Sequence, residues 1–120
     1  MLSIGFNEYN DHHVYPLFLD NLQIGDITIN KYPNQNIFVI FGINLYDEYQ
    51  GKGYFPQFLN ILEEKAKQEK FKFIVLQWVT PNKIQSLKNR GYKEISLEEK
   101  KKLKIINKAD EIDLIKEINP

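Results

Sequence analysis

One junction constrains this chain more than any other. An apolar, β-branched run at 37–45 leads into Gln50-Gly51-Lys52-Gly53, and an amphipathic run at 54–70 follows. Pro56 is tolerated only in the first turn of a helix, so the helix must start at the glycines. A helix start leaves several backbone N–H groups unpaired, and the helix dipole adds partial positive charge there. Gly51 and Gly53 allow positive φ and a close approach of backbone to an anion. Such a turn is a phosphate site in physical terms. Taken alone it also fits a plain turn that binds nothing.

The flanking segments set the architecture. Phe55, Phe58, Leu59, Leu62 and Ala66 fall on one helical face, with Glu63, Glu64, Lys67 and Gln68 opposite. The run 71–79 is apolar on both faces, Phe73, Val75 and Val79 against Ile74, Leu76 and Trp78. That pattern predicts a central strand covered on both sides. Strand, helix and strand of these lengths imply a right-handed parallel crossover. Upstream, Leu2, Ile4 and Phe6 alternate as a short strand. Runs at 14–19 and 22–31 flank Asp20-Asn21, a hairpin signal, and 32–36 is a second turn. The N-terminal half therefore reads as an antiparallel meander.

Downstream, 82–89 reads as a short second helix closed by Gly91. Runs at 92–95 and 112–118 read as a final strand pair. Between them Ser96 and Glu99 form a capping box, which predicts a helix from 97 to about 104. The fold class is α/β of the α+β type, a mixed twisted sheet with a central helix after the glycine loop. At 120 residues the chain is expected to be one domain, 1–120.

Composition narrows the function classes. Lys and Arg total 16 and Asp and Glu total 16, so no global field favours nucleic acid or an anionic membrane. Arg90 is the sole arginine, which leaves backbone amides and lysines to hold anions. The absence of cysteine removes disulfides, thiolate nucleophiles and cysteine-based zinc sites. It fits a cytoplasmic protein. No run approaches the roughly 20 apolar residues of a membrane span, and the N-terminus lacks a signal-peptide pattern.

Tyr49-Gln50-Gly51-Lys52-Gly53-Tyr54 resembles the coenzyme A pyrophosphate loop of the GCN5-related N-acetyltransferases, the GNAT superfamily. The family pattern is Arg or Gln, two residues, Gly, one residue, then Gly or Ala. Gln50 and Gly53 match it, and Phe55 departs from it at the last place. The likeness continues through the helix, the next strand and the short helix to Arg90-Gly91-Tyr92-Lys93, and covers roughly residues 22–95. It implies an acetyltransferase-like fold and acetyl-coenzyme A as co-substrate. The implied cofactor-binding residues are Gln50, Gly51, Lys52, Gly53, Tyr54 and Phe55, the strand backbone at Ile43, Asn44 and Leu45, and Asn82. For Lys52 a solvated loop lysine is the alternative. Gly42 marks either a bulge beside the pantetheine arm or room for an aromatic ring.

The acid and base that the resemblance implies are not found. The base position falls in Phe41-Gly42-Ile43, which has no carboxylate, and the tyrosine position is Leu87. Thr80 takes the place of the usual asparagine, two residues before Asn82. The resemblance implies two helices between the first strands, and only residues 7–13 stand there, so the chain must build that wall of the acceptor pocket otherwise or leave it open. His12, His13 and Ser86 are the catalytic candidates, each against the reading of a solvated side chain. No metal site is expected, since Asp11, His12 and His13 are adjacent and do not converge. Trp78 reads as core, and Lys100-Lys101-Lys102 as a solvated helix face.

The expected function is acyl transfer from acetyl-coenzyme A to a primary amine, a protein lysine or N-terminus or a small molecule. A second copy of the chain is a further candidate partner. The alternative is a degenerate acetyltransferase-fold protein that binds coenzyme A or a protein partner without catalysis.

Overall fold

The computed structural model describes residues 1–7, 13–77, 79–103 and 112–119. His12, Trp78 and residues 104–111 therefore lie outside the description, together with the expectations that rest on them. Among the described residues seven strands form one mixed sheet: β1 (Leu2–Ile4), β2 (Val14–Leu19), β3 (Leu22–Tyr32), β4 (Ile37–Leu45), β5 (Phe73–Leu76), β6 (Lys93–Glu94) and β7 (Leu114–Glu117). Their spatial order is β1-β2-β3-β4-β5-β7-β6. Neighbours from β1 to β4 are antiparallel, β4 and β5 are parallel, and β7 pairs antiparallel with both β5 and β6. The meander and the parallel crossover expected from the sequence are both present. Asp20 takes a positive φ of 54° in the β2–β3 hairpin, a conformation that Asp tolerates better than most residues.

Among the described residues three helices accompany the sheet: α1 (Tyr54–Gln68), α2 (Ile84–Asn89) and α3 (Leu97–Lys102). A 3-10 turn, Pro81–Lys83, leads into α2. α1 buries Phe58, Leu59, Leu62 and Ala66 against Phe38 and Ile40 of β4 and Ile74 and Leu76 of β5. On the other face Ile37, Val39, Val75 and Ile115 form a second cluster with Ile95, and Leu103 packs on it. β4 and β5 are thus apolar on both sides because both sides are covered. α3 starts with the full Ser96–Glu99 capping box and ends at Lys102.

Two side chains depart from the pattern reading. Lys100 was expected on a solvated face, yet it is 4% exposed and lies 3.6 Å from Asp113, itself 1% exposed. α3 lies on the second cluster, so one lysine of the triplet must face inward. Glu63 was expected opposite the core, yet it lies half-buried among Arg90, Tyr92 and Lys116. The end of α2 and the strand β7 cover that flank of α1, which helical period alone does not foresee.

β4 holds the feature that shapes the site. Ile27 of β3 pairs with Ile43, but Ile29 pairs with Ile40, so β4 carries one extra residue at 41–42. Gly42 has φ of 141°, and an added Cβ there would meet nothing within 4 Å. The glycine serves a bulge and does not make room for a ring. β4 and β5 pair from Ile37↔Phe73 to Ile40↔Leu76 and no further. Past the bulge β4 runs on to Leu45 without β5 beside it, and the two open a cleft.

Candidate coenzyme groove

The cleft is lined from three sides. Ile43, Asn44 and Leu45 come from β4, Gln50, Gly51, Gly53, Tyr54 and Phe55 from the loop and α1, Asn82 from the turn before α2 and Ser86 from α2 itself. They enclose one groove of about 510 Å³. Every cofactor-binding candidate except Lys52 lines it; Lys52 is exposed outside.

The loop geometry follows from the glycines. Gly51 and Gly53 take φ of 72° and 78°, and neither has an atom within 4 Å of where a Cβ would sit. Gly53 caps α1 without a side chain, and Pro56 has no N–H to give. No acceptor among the described residues meets the amides of Gly53, Tyr54 and Phe55. Gln50 ties the loop to the strand: its Nε2 donates to Leu45 O at 2.9 Å and to Asp47 Oδ1 at 3.4 Å. Tyr46 N–H donates to Ile24 O on β3 at 2.9 Å. By alternation the backbones of Leu45 and Ile43 face the opposite edge, which is the groove. The groove therefore offers a helix N-terminus at one end and a strand edge along its side, on which Gln50 already takes the Leu45 carbonyl.

A smaller cavity of about 110 Å³ continues from the groove between the parted strands. Ile40, Gly42, Leu76, Gln77, Val79, Thr80 and Leu87 line it. Thr80 Oγ1 donates to Asn82 Oδ1 at 2.8 Å, which links the two spaces. Ile43, Phe55, Lys83 and Leu87 border both. Leu87, at the position where the resemblance implies a tyrosine, is 1% exposed. Ser86 Oγ is 3.4 Å from the Lys83 carbonyl, with its side chain toward the outer groove. His13 immediately precedes β2, two strands from β4, and lines neither space. Among the described residues no group of three His, Asp or Glu converges as a metal site.

Three polar groups here were not among the site candidates read from the sequence. Lys83 sets its Nζ 3.9 Å from the centroid of the Phe55 ring, a cation–π contact. Burial lowers its pKa below the usual lysine value. It precedes Leu87 by one helical turn, and that spacing was the available signal. Gln77 is 3% exposed and lines the inner cavity just past the end of β5. Arg90 lines the groove at its far end while bonding Asn60 Oδ1 at 2.7 Å and Glu63 Oε1 at 3.2 Å.

No family model matches the sequence, and no curated protein matches it either. Solved structures do. GCN5 from Tetrahymena superposes with a TM-score of 0.69 over 92% of this chain and 71% of its own, at 19% identity. An acetyltransferase of the GNAT family from Staphylococcus aureus gives 0.67 over 95% of this chain and 74% of its own, at 15% identity. N-acetylglutamate synthase from Neisseria gonorrhoeae, in complex with coenzyme A and N-acetyl-glutamate, gives 0.70 over 90% of this chain at 16% identity. The chain spans only 26% of that synthase. No helix among the described residues is long and apolar enough to cross a membrane. Over most of its length the chain has the fold of the GCN5-related N-acetyltransferases.

Proposed function

We propose that this protein is an acyl-coenzyme A dependent N-acyltransferase that moves an acetyl group to a primary amine. The observation that carries the reading is the run of unmet amides at Gly53, Tyr54 and Phe55, opening on a groove that ends in a cavity between parted strands. The amides suit a pyrophosphate. This edge of β4 suits an extended arm with amide groups, which would add to it as a strand does. The inner cavity, about 110 Å³ and mostly apolar, suits a short acyl group. The amides of β4 beside the bulge are placed to stabilise a thioester oxyanion. The acceptor is taken to be a protein lysine, an N-terminus or another extended amine, since only residues 5–13 join β1 to β2.

A second reading has its own observation. No carboxylate, histidine or tyrosine lines the inner cavity among the described residues. A binder of coenzyme A without turnover would look the same. One pair of measurements separates the two. Acetyl-coenzyme A or coenzyme A at a hundredfold excess over Kd should stabilise the fold by about 2.7 kcal/mol. That appears as a rise in Tm of several degrees. Thiol release across a panel of amines and lysine peptides then follows. Turnover with any amine supports the enzyme; binding without turnover supports the second reading. No shift with millimolar ligand rejects both.

A further inference from the structure

We infer that Lys83 is the cation that receives the coenzyme's sulfur as the departing thiolate. The inference rests on the acyltransferase reading above and names a residue that carries one of its steps.

The cavity between the parted strands is apolar apart from Gln77, Thr80 and Lys83. Lys83 is the sole ionisable residue among those lining it. It also borders the phosphate groove, so any chain running from the amides of α1 into the inner cavity passes its ammonium. The Phe55 ring, 3.9 Å beneath the nitrogen, holds that ammonium toward the passage with no carboxylate to neutralise it. No ion pair involves Lys83 among the described residues. The other groups that face it are few. The Phe55 ring of α1 touches it, Gly42, Ile43, Gln77 and Thr80 line the cavity with it, and Tyr54, Asn82 and Arg90 line the groove that it borders. None carries negative charge.

The chemistry needs such a group. The amine nitrogen attacks the thioester carbonyl carbon; the C–N bond forms and the C–S bond breaks. Sulfur leaves with the bonding pair. In water a thiolate is a fair leaving group, since a thiol titrates near 8.5. In an apolar cavity an unpaired thiolate is far more costly. The Lys83 ammonium pairs with it and keeps its own proton. Sulfur takes a proton from solvent as the coenzyme leaves, which matches the one the attacking amine sheds.

The test reads the coenzyme thiol directly. Coenzyme A is bound to wild type, Lys83→Gln and Lys83→Arg, and the thiolate is titrated by its ultraviolet absorbance. In the wild-type complex the thiol should titrate at least about one unit below the free value of roughly 8.5. In Lys83→Gln it should return to that value or rise above it, with coenzyme still bound and kcat down about tenfold to a hundredfold. In Lys83→Arg the thiol stays depressed and kcat is largely kept, because the charge remains. An unmoved thiol titration in Lys83→Gln overturns the inference and leaves the acyltransferase reading standing. Should Lys83→Gln fail to fold, a wild-type complex whose thiol titrates at the free value overturns the inference. Failure of wild type to bind coenzyme A overturns both.

Discussion

The cleft between α1 and α2 has two ends, and they treat polar groups in opposite ways. At the glycine loop, amides of α1 point into a groove with no acceptor among the described residues. A turn or two along the same helix, Glu63 takes in the Tyr92 hydroxyl at 2.6 Å, Arg90 at 3.2 Å and Lys116 at 3.5 Å. One end is almost free of charged side chains and unsatisfied; the other is rich in charge and nearly satisfied. The difference shows where to look for a ligand. Buried charges that meet one another hold elements together, whereas donors left unmet at a surface are open to something else. Within the charged end, only Arg90 Nε is buried without a partner among the described residues.

The contrast can be broken at either end. The largest effect is expected at Gly53, whose φ of 78° favours glycine and whose missing Cβ faces open space. Gly53→Val should cost about 1–3 kcal/mol of backbone strain. Its methyl groups would occupy the space in front of the amides. Coenzyme A affinity, measured by calorimetry, should drop about a hundredfold or more, about 2.7 kcal/mol. A folded Gly53→Val protein with unchanged affinity would erase the distinction between the two ends.

Glu63→Gln attacks the other end. It leaves Arg90 and Lys116 without their shared carboxylate and should lower unfolding stability by about 2–3 kcal/mol in urea titrations. Coenzyme A affinity should stay within about threefold. If affinity falls with stability, Arg90 belongs to the ligand site, and the charged end is not merely structural.

The smallest effect sharpens the picture through pH. Burial pushes the Tyr92 hydroxyl well above its usual range, and its hydrogen bond to Glu63 and that carboxylate's charge add to the shift; Arg90 opposes it. The unfolded chain ionises this tyrosine near pH 10, while the folded one keeps the proton. Above about pH 10 the folded state binds more protons than the unfolded state. The stabilisation is therefore complete below pH 10 and is lost as pH rises past it. Tyr92→Phe should cost about 1 kcal/mol at neutral pH and should flatten that alkaline decline. An unaltered slope between pH 9 and 11 would place the titration elsewhere.

Much of the frame was legible before any coordinates, and for a local reason. Alternation and helical period marked β1 to β4 and α1, and Pro56 with the two glycines marked where α1 starts. Ser96 and Glu99 specified their own cap. The groove was legible for the same cause: Gln50, Gly51, Gly53, Tyr54 and Phe55 are neighbours in the chain and reach it together. Gly42 was legible only as a pair of alternatives, because a glycine in a strand does not say whether its own φ or a neighbour's bulk demands it. The bulge register decided between them.

What the sequence determined by itself is the set of elements, their faces and a helix start fit for an anion. These depend on spacings of a few residues, where covalent geometry leaves little freedom. Tertiary structure alone decided which side chains meet across the cleft. Lys83 rests on Phe55 because α2 lies alongside the start of α1. Glu63 meets Lys116, 53 residues away in the chain, because β7 inserts between β5 and β6 and brings its lysine to the flank of α1. Lys100 turns inward to Asp113 because α3 covers the second face of the sheet. A side chain's surroundings are set by which elements pack together, and no period within one segment encodes the neighbour that another segment will bring.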